Sequence, residues 1–183
     1  MMKSVCYLPT RYILSGLLCL FGFMMQACQQ VAVSLDINKQ SYLQALPAGT
    51  ILRLQQNIDI APDKARTYFQ HGKQAGLSVI DKYQPWCEFE IKTLMETTQT
   101  IHADNFAIYK LVNQRSGLLD GAGFGSMANT LEEFSTTLYL QSDSQPDVFR
   151  LICLHRRGTG MQTYLRLSDI QSALGDIATI DIK

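Results

Sequence analysis

From Thr50 onward, apolar residues alternate with polar ones more often than they recur every three or four positions, and a period of two predicts strands. In "TILRLQQNIDI" (50–60) Leu52 and Leu54 take one face, and the alternation resumes at Ile58 and Ile60. "APDK" (61–64) predicts a turn, with Pro62 presetting φ. "ARTYFQHG" (65–72) is rich in strand formers and stops at Gly72. In "CEFEIKTL" (87–94) the alternation is clearest. Cys87, Phe89 and Ile91 share one face, and Glu88, Glu90 and Lys92 the other, which is expected to be solvated. "NFAIYKLVNQ" (105–114) predicts a buried strand. "STTLYLQ" (135–141) and "DVFRLICLH" (147–155) predict two more across the turn-forming loop "SDSQPD".

Near the C-terminus the period changes. Ser168 and Gln171 have capping-box spacing, and Gly175 stands where a helix ends in the left-handed region. A helix of about two turns is expected, with Ile170, Ala173 and Leu174 inward, followed by a last strand in "IATIDI" (177–182). "SYLQAL" (41–46) predicts one further helical turn. Seven or eight strands with one or two short helices give a mainly β fold, either a sandwich or a curved barrel-like sheet. The chain shows no internal repeat and no second domain boundary.

The N-terminus follows another pattern. "MMKSVCYLPTR" carries Lys3 and Arg11 with no acid, and the next 14 residues, Tyr12 to Met25, are uncharged. A basic start, an apolar stretch of this length and a small residue at the cut site describe a secretory signal over 1–27. A membrane-spanning helix needs about 20 apolar residues. "QQVAVSLDINKQS" (29–41) has no sustained period, so 28–46 is expected to be an anchor and tether and 47–183 a single domain.

Cysteine usage adds to this. Cys6 and Cys19 leave with the signal, so Cys28, Cys87 and Cys153 remain, an odd number for an oxidising compartment. Cys87 shares parity with Phe89 and Ile91, and Cys153 shares it with Phe149 and Leu151. Both are expected to point into the core and to form a disulfide. Without the signal, 14 basic residues face 16 acidic ones, and a net charge of −2 excludes a nucleic-acid surface. "HRR" (155–157) is the one basic cluster, expected as a solvated strand end.

Candidate catalytic chemistry is thin. "GLLDGAGFGS" (117–126) lacks the Lys-Ser/Thr pair of a phosphate loop, and Ser126 is in no G-x-S-x-G elbow. His71, His102 and His155 fall on separate segments without metal-ligand spacing, so no metal and no cofactor is expected. Glu88 and Glu90 lie about 7 Å apart by strand rise, a carboxylate separation used in glycoside hydrolysis. Their face reads as wet, and they are expected to be solvated.

"MQAC" (25–28) resembles the lipobox of bacterial lipoproteins. That resemblance implies cleavage before Cys28, diacylation of its sulfur and acylation of the new amine, which makes Cys28 the lipid attachment site. Two or more acyl chains hold a protein stably on a bilayer. Gln29, where Asp would signal inner-membrane retention, implies the outer membrane, with the domain facing the periplasm or the surface. "ARTYFQHGK", "DKYQPWCEFE", "LICLH" and "IQSALGD" resemble segments of uncharacterised envelope lipoproteins of Gram-negative bacteria, a likeness that brings no active residues. The expected function is therefore a non-enzymatic, membrane-anchored envelope lipoprotein that binds an envelope protein, peptidoglycan or a small ligand. The competing expectation is an envelope hydrolase whose site assembles only in three dimensions. A deep pocket gathering two or three of His71, His102, Asp104, Glu88 and Glu90 would favour catalysis, whereas a flat face or exposed sheet edge would favour binding.

Overall fold

The computed structural model describes residues 43, 45–118, 131–158 and 164–182. Among these residues ten strands, one α-helix and a short 3-10 turn (Leu77–Val79) follow in chain order. The strands are β1 (Ile51–Leu54), β2 (Ile58–Ile60), β3 (Arg66–Gln70), β4 (Lys73–Ala75), β5 (Trp86–Ile91), β6 (Gln99–Ile101), β7 (Asn105–Leu118), β8 (Leu131–Gln141) and β9 (Val148–Gly158), then β10 (Ala178–Asp181) after the helix α1 (Leu167–Leu174). Eight strands form one sheet in the order β10-β1-β7-β8-β9-β5-β3-β4, and β2 pairs with β6. Every ladder is antiparallel. The fold is mainly β, a sheet curled into a half-barrel.

Strand alternation accounts for the core. Leu52, Leu54, Phe69, Phe89, Phe106, Leu138 and Leu151 line the concave face, and Ile58, Ile60 and Ile101 of the small β2–β6 ladder join them. α1 adds Ile170, Ala173 and Leu174 to the same cluster. The helix touches β3, β5 and β10. These strands come from opposite ends of the sheet order, so the natural twist of the sheet wraps it around one helix.

Both helix ends differ from the expected caps. The helix begins at Leu167, and Asp169, not Gln171, is its N3 residue, its carboxylate accepting the Arg166 N–H at 2.8 Å. Gly175 ends the helix as expected, but with φ 55° and ψ −130° it lies in a mirror-image extended region that glycine alone enters freely, not in the left-handed helical one. No helical turn forms at Leu43 or over residues 45–46. Leu43, inside the segment expected to be tether, is instead buried. Its carbonyl accepts the Asn113 amide at 2.7 Å, and its N–H bonds to the Leu165 carbonyl at 3.4 Å.

Two bulges redirect side chains. On β7 the register jumps between Ile108 and Lys110, leaving Tyr109 exposed. On β9 it passes from Arg150, opposite Glu90, to Val148, opposite Ile91. Phe149 is the extra residue, so it leaves the inward set expected for it and packs edge-on against Tyr139 with ring centres 5.6 Å apart. Between β3 and β4, His71 and Gly72 both have positive φ, 53° and 72°, as a two-residue hairpin turn requires.

On the convex face the loop from Gly76 to Pro85 covers part of β3, β5 and β9. Ile80, Trp86 and Leu154 form a second small core there, with Tyr68, Ala75 and Ile152 against it. The Gln70 amide holds the loop through the Asp81 carbonyl at 2.8 Å and the Asp81 N–H at 3.0 Å. Among the described residues no helix is long and apolar enough to cross a membrane.

Candidate functional site

Glu88 and Glu90 do share the face opposite Cys87 and Phe89, but that face is not wet. Glu88 is 6% exposed. The covering loop and the Arg66 side chain exclude water that alternation alone would have allowed. Arg66 Nη1 reaches both Glu88 oxygens at 3.2 and 3.3 Å, and its Nη2 reaches Glu90 at 3.3 Å. Arg150 Nε binds the other Glu90 oxygen at 2.6 Å. Burial raises the Glu88 carboxyl above its usual range, with the charge and hydrogen bond of Arg66 pulling the other way. Both carboxylates are held by guanidinium groups, so the cluster ties β3, β5 and β9 together and leaves neither acid facing an open cleft.

The histidines stay apart. His71 occupies the exposed hairpin turn, and His102 is exposed, its backbone N–H donating to Gln145 at 2.8 Å. His155, expected at a solvated strand end with Arg156 and Arg157, is 1% exposed and packs edge-on against Phe134. The reason is length: β9 runs on to Gly158, so His155 keeps the inward parity of Leu151 and Cys153. No group of three metal-ligating side chains occurs among the described residues.

Asp104 organises the loop after β8. Its carboxylate accepts hydrogen bonds from the Ser142 and Ser144 hydroxyls and the Gln145 amide. These bonds, Ser144 first, hold its pKa at about 2. A depressed carboxyl stabilises the fold fully above its unfolded value and loses that contribution as pH falls through the folded one. Asp104→Ala is therefore expected to be slightly less stable than the parent at pH 7. The difference should close between pH 4 and pH 2 in denaturant titrations. A deficit that persists unchanged at pH 2 would contradict this account.

Cys87 and Cys153 face each other across the β5–β9 ladder, with Cα atoms 4.0 Å apart and sulfurs at disulfide distance. Both are fully buried. Cys28, Ser126 and the glycine-rich stretch beyond Leu118 lie outside the described residues.

Among the described residues two apolar grooves stand out, neither expected from the sequence. One, of about 740 Å³, runs beside β2, β3 and β4, walled by Ala61, Pro62, Ala75, Leu77 and the Tyr68 ring, with Lys64 and Arg66 lining it. The other, of about 560 Å³, lies between α1 and β10, against Leu167 and Ile180. None of His71, His102, Asp104, Glu88 and Glu90 lines either. The first groove is built from four short segments with no shared motif, and its one sequence signal is Leu77, an apolar residue in a turn-rich loop that remains exposed. The strands β4 and β10 end the sheet order, so each presents one strand edge unpaired within the sheet. Protein-family models, curated proteins and solved structures offer no match to this chain.

Proposed function

We propose that this chain is a lipid-anchored lipoprotein of the bacterial envelope, held in the outer membrane through Cys28, whose β-rich domain binds a partner or ligand and catalyses no reaction. The observation that carries the binding reading is the apolar groove beside β4, which none of the candidate catalytic side chains enters. The buried cysteine pair suits an oxidising compartment, and the lipobox-like "MQAC" supplies the anchor.

Cys28→Ser is expected to abolish fatty-acid labelling and leave an unprocessed precursor. Normal labelling of that variant would end the lipoprotein reading. For the binding surface, amine cross-linking in intact cells should give adducts concentrated on Lys64 and Lys73, which flank the groove and the β4 edge. Adducts spread evenly over the exposed lysines would count against a binding surface there.

A further inference from the structure

Five of the six large apolar side chains left exposed among the described residues stand on two loops. Leu77, Val79 and Tyr83 belong to the loop over the convex face, and Leu94 and Met95 to the loop between β5 and β6. Both loops border the groove beside β4. Leu77 of the first and Thr98 of the second line it. The Met95 carbonyl accepts the Asp63 N–H at 2.8 Å, between Pro62 and Lys64 of the groove wall. The Gln70 amide clamps Asp81, and the Gln99 amide holds the Thr93 carbonyl at 3.1 Å, so both loops are fixed with hydrocarbon outward. Their charges cancel. Each carries one acid and one base, Asp81 with Lys82 and Glu96 with Lys92, and the groove adds Asp59 and Lys64.

We propose, resting on the reading that Cys28 is acylated, that these two loops form a contact surface for the phospholipid bilayer. Exposed hydrocarbon gathered around one groove marks a protein or membrane contact, and the length of the chain before the domain selects the membrane. Fourteen residues, 29–42, separate Cys28 from Leu43, and a chain of that length reaches no further than about 50 Å. An acylated Cys28 therefore keeps the domain within that distance of the bilayer, where a weak contact becomes an intramolecular one. Lacking net charge, the loops enter the interface through Leu77, Val79, Leu94 and Met95 and not through attraction to anionic headgroups. Tyr83, with an apolar ring and a polar tip, suits the headgroup level.

The test uses the full chain in nanodiscs of phosphatidylethanolamine and phosphatidylcholine, with a phospholipid carrying a diazirine on its acyl chain. After irradiation, adducts should map to 77–83 and 94–95 as well as to the N-terminal residues. Val79→Asp should cut the loop adducts at least about tenfold and leave the N-terminal adducts unchanged. Val79 is 73% exposed, so the variant should keep the parent's melting temperature. Tyr109→Asp, at an exposed site on β7, should leave the loop adducts at the parent's yield. Adding phosphatidylglycerol should change that yield by less than about twofold, since no net charge meets the headgroups. Loop adducts that are absent, insensitive to Val79→Asp or strongly raised by phosphatidylglycerol would overturn the proposal. So would a photoreactive residue at position 79 that captures one protein in intact cells in place of lipid, which would make the loops a protein-binding surface. Fatty-acid labelling of Cys28 is read separately. Its absence beside loop adducts would end the anchor reading alone, and its presence without them would end the contact surface alone.

Discussion

Replacing Cys87 or Cys153 by alanine should lower the stability of the oxidised protein by about 2–5 kcal/mol. The cross-link spans 66 positions, and closing a loop of that size removes unfolded-state entropy worth about 4 kcal/mol in the chain-entropy model. In the native state Cys87 and Cys153 are direct partners in the β5–β9 ladder. Each single variant also leaves a thiol facing a small cavity in a fully buried site. The double variant separates the two contributions. If the bond itself dominates, removing the second cysteine costs little more than removing the first. Urea titrations with and without reductant provide the measurement, and the reduced parent should fall near the single variants. Additive losses, or a reduced parent as stable as the oxidised one, would show that the pair contributes packing and not covalent closure.

Much of that pairing could be read from the sequence, because a strand's side chains alternate without exception until the register breaks. Cys87 in "CEFEIKTL" and Cys153 in "DVFRLICLH" kept their parity, and Leu52, Leu54, Ile58 and Ile60 kept theirs. Phe149 lost its parity to a bulge, a local event that leaves no mark on periodicity. Glu88 kept its face and lost its water, since whether a convex face is wet depends on the covering loop from Gly76 to Pro85. Three-residue strands such as β4 and β6 carry too few positions to show a period; β4 forms against the longer β3, and β6 against β2, itself three residues long. The groove was hidden for the same reason, its walls being short segments brought together only by the curl.

Gly175→Ala should be the most damaging single glycine substitution tested, with a loss of about 3–4 kcal/mol. A methyl group there would sit 2.6 Å from the Gly72 Cα, a backbone atom with no side chain to move aside. The added residue would also have to hold φ at 55° with an extended ψ, a conformation costing about 1–3 kcal/mol outside glycine. The contact is reciprocal, since a methyl group on Gly72 would lie 3.2 Å from the Gly175 Cα. Between them runs the hydrogen bond from the Gly72 N–H to the Ala173 carbonyl at 3.0 Å, and forcing the backbones apart would cost about 0.5–1.5 kcal/mol more. Gly76→Ala is the matched control. Its φ is −77°, and the nearest atom to an added methyl is Ser78 Oγ at 3.8 Å. It should be neutral or more stable by up to about 1 kcal/mol through a stiffer unfolded chain. This crossing fixes the β3–β4 hairpin to the end of α1, and β4 forms one wall of the groove. Hydrogen exchange in Gly175→Ala should therefore speed up first at Lys73–Ala75, ahead of β7 and β8. Uniform acceleration across the sheet would mean that the contact supports the whole fold and does not hold the hairpin in particular.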